Sequence, residues 1–208
     1  MEASMAMPLL PDWSRPLWAL LLVVVLVQHA VHARRMSGQP RWWHAGHTAM
    51  ALGMAVMYLL PHMRHPDLYR VGLVLFALIT VLELVVTVVL RSREGLVNPL
   101  WLSSTAGMLV MTYMMVPGSS RPAWLTLVFV GYLCCETVVW SLGWWERVPW
   151  LRPHGVAAPA PGAATTAPGR AVLRERGVGL PAHCSPGVRA SLAVMAASMA
   201  YMLLAGLV

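Results

Sequence analysis

Six stretches of this chain, over residues 17–32, 44–63, 68–90, 99–116, 123–145 and 187–208, are almost free of charge. Most are close to the roughly 20 residues a helix needs to cross a ~30 Å hydrocarbon layer; the first and fourth are shorter. Lipid offers no water to backbone N–H and C=O groups, so each stretch must satisfy them internally as a helix. Only 11% of the 208 residues are charged and 58% are hydrophobic. A soluble domain carries about a quarter charged residues, so the imbalance points to a membrane protein. The predicted fold is all-α: a polytopic six-transmembrane-helix bundle with one long disordered loop between helices five and six. Trp18, Trp42, Trp43, Trp101, Trp124, Trp144 and Trp145 fall near stretch ends, where an aromatic belt belongs.

The chain divides accordingly. Residues 1–16 form a polar tail expected outside the cytoplasm, 17–145 a five-helix membrane region, 146–186 a flexible loop and 187–208 the sixth helix. The tail holds Glu2 and Asp12 against Arg15, which is no basic signal-peptide start, so the first helix is expected to be retained. Residues 153–169 are nearly all Pro, Ala, Gly and Thr and cannot build a core.

Net charge is +7 with His neutral, and every positive charge is Arg, with no Lys. Arg34, Arg35, Arg41, Arg91, Arg93, Arg147, Arg152, Arg170, Arg174, Arg176 and Arg189 fall on one side of the alternating helices. Arg15, Arg64, Arg70 and Arg121 fall on the other. The richer side is expected to be cytoplasmic, in the cell membrane, with both termini outside. This accounts for the basic balance without a nucleic acid. The expected partners are the bilayer and neighbouring helices, in this chain or in a second copy.

Within that topology the methionines fall into order. His47, Met50, Met54 and Met57 recur at i, i+3, i+7 and i+10, a stripe within roughly an 80° arc of one helix. Met195, Met199 and Met202 repeat the pattern M-A-x-x-M-A-x-M, and Met108, Met111 and Met115 form a third ladder with Met114 beside it. The three ladders lie on co-directional helices two, four and six at similar depth. A thioether is a soft neutral donor and imidazole also takes copper, so the set His47, Met50, Met54, Met57, Met108, Met111, Met195, Met199 and Met202 suits Cu(I). Met is equally an adaptable packing residue, and Ala45, Ala49 and Gly53 make a small-residue stripe beside the first ladder. A structural or assembly protein is therefore the competing reading.

The odd-numbered helices carry ionisable groups: His29 and His32, Glu83, and Glu136. Intramembrane charges usually face a bundle interior and a partner. His29, Glu83 and Glu136 are expected at one depth, approached by His44 and His47, as a metal or proton site. Otherwise the glutamates make structural Glu–His or Glu–Arg contacts, or Glu83 is neutral and bonded to Thr80 or Thr87. His29 with His47 would also allow a haem. Cys134 and Cys135 beside Glu136 would add thiolates, or are inert apolar residues. His62, His65, His183 and Cys184 are weaker loop candidates. No P-loop, G-x-S-x-G or H-E-x-x-H occurs in the chain. No catalytic residue is assigned, and an enzyme is not expected.

The run from His47 to Met57, the six-span layout and Met195-Ala-Ala-Ser-Met199-Ala-Tyr-Met202-Leu-Leu resemble an actinobacterial family of small multi-pass membrane proteins, catalogued as domain of unknown function number 5134. The resemblance implies an inner-membrane protein of this layout and supplies no activity. It also implies a His before the C-terminal Met run, where this chain has Leu192.

Overall fold

A computed structural model of the chain describes residues 13–60, 64–94, 99–144 and 185–207. The described residues form six α-helices and one short 3-10 turn, without strands: α1 (Ser14–Arg35), α2 (Gln39–Leu59), α3 (Pro66–Glu94), α4 (Pro99–Met115), α5 (Ala123–Leu142) and α6 (Pro186–Ala205). The loop expected over 146–186, except for its last two residues, lies outside the described residues, as do His62, Met63, His183 and Cys184.

Local chemistry explains the boundaries. Pro40, Pro66, Pro99 and Pro186 stand in first turns, where a missing N–H costs nothing. Gly38, at φ +70°, makes the tight link from α1 to α2. Ser185 caps α6 by accepting from Val188 N at 3.4 Å. Gly143 ends α5 in the left-handed conformation, φ +63°.

The helices associate as three hairpins, α1 with α2, α3 with α4 and α5 with α6. The second helix of each hairpin turns inward, so α2, α4 and α6 touch one another, and α1 also leans on α6. Burial follows the same division: the apolar window of α6 is 61% buried, that of α3 only 17%. Val71, Val74, Leu78, Val81, Leu82 and Val85 leave α3 with a broad exposed apolar face, and Val23, Val24 and Val27 do the same on α1. Such faces suit hydrocarbon rather than water.

Among the described residues, four helical spans are long and apolar enough to cross a membrane: Ser14–Arg35, Pro66–Val89, Ala123–Leu142 and Pro186–Ala205. Leu100–Met115 is apolar but shorter, and α2 is not among the four. The first half of α2 carries Gln39, Arg41, His44 and His47, which lower its hydropathy. The expected six spans are thus six helices, of which four qualify alone. The two shortfalls are both inner helices, whose polar groups have protein neighbours.

The methionines of the three inner helices form one core. Met50, Met54, Met57, Met108, Met111, Met114, Met115, Met195 and Met199 are all buried, and Met202 packs partly buried against them. Several seat on glycines. The Met108 Cε lies 3.4 Å from where a Cβ on Gly46 would stand, and the Met50 Cε lies 3.1 Å from the same point on Gly107. Met111 Cε and the Phe76 ring crowd Gly53, and Met115 Sδ lies 3.0 Å from that point on Gly72. A methionine tip fills the notches at Gly46, Gly107 and Gly72 and shares that at Gly53 with the Phe76 ring, which lets helices approach closely.

Candidate functional site

Two adjoining features gather the polar residues of the bundle interior. The first is a histidine row on α1 and α2. His29, His44 and His47 are buried, and His32 is half-buried at the row's end. Ring centroids are 5.0 Å apart for His32–His44, 5.0 Å for His29–His44 and 5.3 Å for His29–His47. Trp43 closes the group, 4.0 Å from His47.

The hydrogen bonds fix the tautomers of neutral rings. A carbonyl only accepts, so His47 Nδ1 donates to Trp43 O (2.9 Å) and His32 Nδ1 to Gln28 O (2.8 Å). Ser191 Oγ gives its proton to Val188 O at 2.7 Å. It therefore accepts from His29 Nε2 at 2.9 Å. The other nitrogen of a neutral His29 ring must then accept, so His44 Nδ1 donates to His29 Nδ1 at 2.9 Å. The chain of bonds joins α2 to α1 and α1 to α6.

The second feature is a cavity of about 40 Å³. A water needs roughly 10–15 Å³ on this measure, so there is room for a few waters or one ion. His47 and Met50 come from α2, Ser103, Ser104 and Gly107 from α4, Tyr132 and Glu136 from α5, and Leu192, Met195 and Met199 from α6. Glu136 is anchored: its Oε1 accepts from Ser103 Oγ at 2.8 Å and from Tyr132 OH at 2.9 Å.

The structure sorts the expected site residues. It brings His47, Met50, Met195, Met199 and Glu136 to one cavity. Met54, Met57, Met108, Met111 and Met202 lie outside the cavity lining, and Met54 Sδ accepts from Ser198 Oγ at 3.9 Å. His29 is not in the cavity lining but stacks on His47, which is. Glu83 does not join Glu136. It lies on the other side of Ser104, its Oε1 2.7 Å from the Cβ position on Gly46. The expected Glu83 bond to a threonine is also corrected. Thr87 Oγ1 donates to the Glu83 backbone carbonyl at 2.8 Å and Thr80 Oγ1 to Phe76 O at 2.7 Å, as helix-interior threonines tend to. Among the described residues the one ion pair is Arg70–Asp67, so within them neither Glu83 nor Glu136 makes the alternative salt bridge to arginine or histidine. Cys134 and Cys135 are exposed on α5, away from the cavity lining.

Sequence reasoning missed Ser103, Ser104, Tyr132 and Ser191. The Ser103-Ser104-Thr105 triplet inside an apolar stretch was the available signal. Ser191 stands one turn before Met195, where its helix face meets His29.

Donor chemistry tests what such a site can hold. Among the described residues no three His, Cys, Asp or Glu side chains come together as a metal-binding set. A metal here would rely on thioethers, which favour Cu(I) over harder ions. His47 orients its ring through Nδ1, the outer bond that metal-ligating histidines commonly make. A haem does not fit: the cavity is far below the roughly 300–1,000 Å³ of a cofactor pocket, and His29 and His47 stack face to face rather than flanking a plane.

Residues 39–206 match the model of a family described as a domain of unknown function (DUF5134). No curated protein and no solved structure matches the chain.

Proposed function

The chain belongs to this domain-of-unknown-function family, and from that premise we propose that it is a membrane protein that binds or passes Cu(I). The observation that carries the reading is the shared cavity. One imidazole and three thioethers, His47, Met50, Met195 and Met199, line about 40 Å³ together with the Glu136 carboxyl. His47, Met50, Met195 and Met199 would be ligands. Glu136 would balance the ion's charge, its Oε1 held by Ser103 and Tyr132. Met54, Met57, Met108, Met111 and Met202 would form an adjoining thioether wall. No covalent chemistry is assigned. The same reading has the chain cross the cell membrane six times, both termini outside, with the exposed apolar faces of α1, α3 and α5 toward lipid.

Cu(I) titration of purified protein under reducing conditions tests this. Wild type should bind, and Met50→Leu/Met195→Leu/Met199→Leu should lose affinity by more than the roughly 10–100-fold typical of losing an outer-shell partner. Leu keeps the bulk and removes the sulfur. Met108→Leu/Met111→Leu should retain binding. Equal binding by wild type and the cavity variant, or none by wild type, ends the reading.

The Met–Gly notches favour a second reading, a structural or assembly protein whose methionines only pack. It expects every Met→Leu set to leave copper behaviour unchanged.

A further inference from the structure

Glu83 and Glu136 are both buried carboxyls, but only one is served. Glu136 Oε1 receives two hydrogen bonds. Glu83 Oε2 receives none, although Glu83 is only 5% exposed. Ser104 is the hydroxyl beside it, only 2% exposed, and its Oγ makes no other bond. The nearby threonines cannot help: Thr87 and Thr105 direct their hydroxyl protons to backbone carbonyls at 2.8 Å. Gly46 is what lets the carboxyl lie against α2, since any Cβ there would meet Glu83 Oε1 at 2.7 Å.

An ionised carboxyl without donors or counter-charge is among the costliest groups to bury. The described elements around Glu83 supply no counter-charge and, beyond the Ser104 hydroxyl, no side-chain donor. From α2 it faces Gly46, whose neighbour His47 turns its Nδ1 to Trp43 O. From α4 it faces Ser104, and Met108 also reaches Gly46. Its own helix offers Thr80 and Thr87. Among the described residues none of these helices brings a charged side chain within ion-pair distance. Within the described residues, then, nothing neutralises the ionised form.

We propose that Glu83 Oε2 and Ser104 Oγ form a site for a hard monovalent cation, a proton or Na⁺, reached from the cavity through Ser104. The donors are oxygens, which select hard ions. One carboxylate neutralises a single positive charge, whereas a divalent ion would leave a net charge buried. Ser104 also lines the cavity, so its hydroxyl links the site to a space where water fits. The site does not require copper in the cavity, and it is tested without copper.

Infrared difference spectroscopy across a pH titration, in nanodiscs, reads the site directly. Wild type shows a protonated-carboxyl stretch that is lost as pH rises, and Glu83→Gln lacks that band. Ser104→Ala removes a donor to the ionised form, so loss of the band moves to higher pH by about one unit. Repeating the titration with Na⁺ replaced by a bulky organic cation separates the two ligands. If Na⁺ competes, the band is lost at lower pH in its presence; if a proton alone binds, the two titrations coincide. The proposal is overturned if Glu83→Gln leaves the band unchanged, or if no band responds to pH. Should Glu83→Gln fail to fold, an unshifted titration in Ser104→Ala overturns it equally.

Discussion

At Gly53 a methyl group would meet the Phe76 ring, with Cε2 at 2.8 Å, and the Met111 Cε at 3.0 Å. At Gly46 it would meet only the movable ends of Glu83 and Met108, and at Gly131 nothing lies within 4 Å. These sites make a graded series. Alanine gains about 1 kcal/mol over glycine in a helix interior, against about 1–3 kcal/mol for overpacking. Gly131→Ala should therefore be neutral or stabilising by up to about 1 kcal/mol. Gly46→Ala should be mildly destabilising and Gly53→Ala the most harmful, since a ring wedged between helices yields less than a side-chain tip. Unfolding in mixed micelles measures the order, and equal effects at all positions would refute the Met-on-Gly account. The Ala45/Ala49/Gly53 stripe made close packing legible in the sequence. Which methionine fills which notch was not, because a Met thioether reaches either neighbour equally well.

Among elements, the seam between α1 and α6 depends on polar contacts in an apolar setting. His29 bonds Ser191 at 2.9 Å, and Gln28 Nε2 lies 3.2 Å from the Cβ position on Gly187. A double-mutant cycle of His29→Ala and Ser191→Ala should return a coupling of about 0.6 kcal/mol and at most about 1.7, the range for hydrogen bonds between membrane helices. A coupling near zero would mean the bond does not hold the seam. At the same end of α6, the Arg189 guanidinium covers Gly143, with Nη2 donating to Ser141 O at 3.4 Å. That arginine serves the C-terminus of α5 as a cap, where a positive charge is favoured. Its sequence role was only to count toward the positive side.

For the whole molecule, orientation rests on the arginines. In a background lacking Cys134, Cys135 and Cys184, Ser37→Cys in the α1–α2 link should be shielded from an impermeant thiol reagent added outside cells. Ser119→Cys, in the α4–α5 link, should be labelled. The reverse pattern would invert the proposed topology.

Length and charge along the chain were enough for an all-helical bundle of membrane-like helices, because apolar runs of about 20 residues can satisfy their backbone in lipid only as helices. Periodicity likewise put the three Met ladders on three helices. Which faces meet is a matter of long-range packing that no local pattern encodes. Only the folded chain could bring His47, Met50, Met195, Met199 and Glu136 to one cavity while Met108 and Met111 seat on glycines. Only there do the two glutamates part, one bonded twice and the other left with a bare oxygen. Spacing gives a residue its depth and face, but the partner across the interface decides whether a buried polar atom is satisfied.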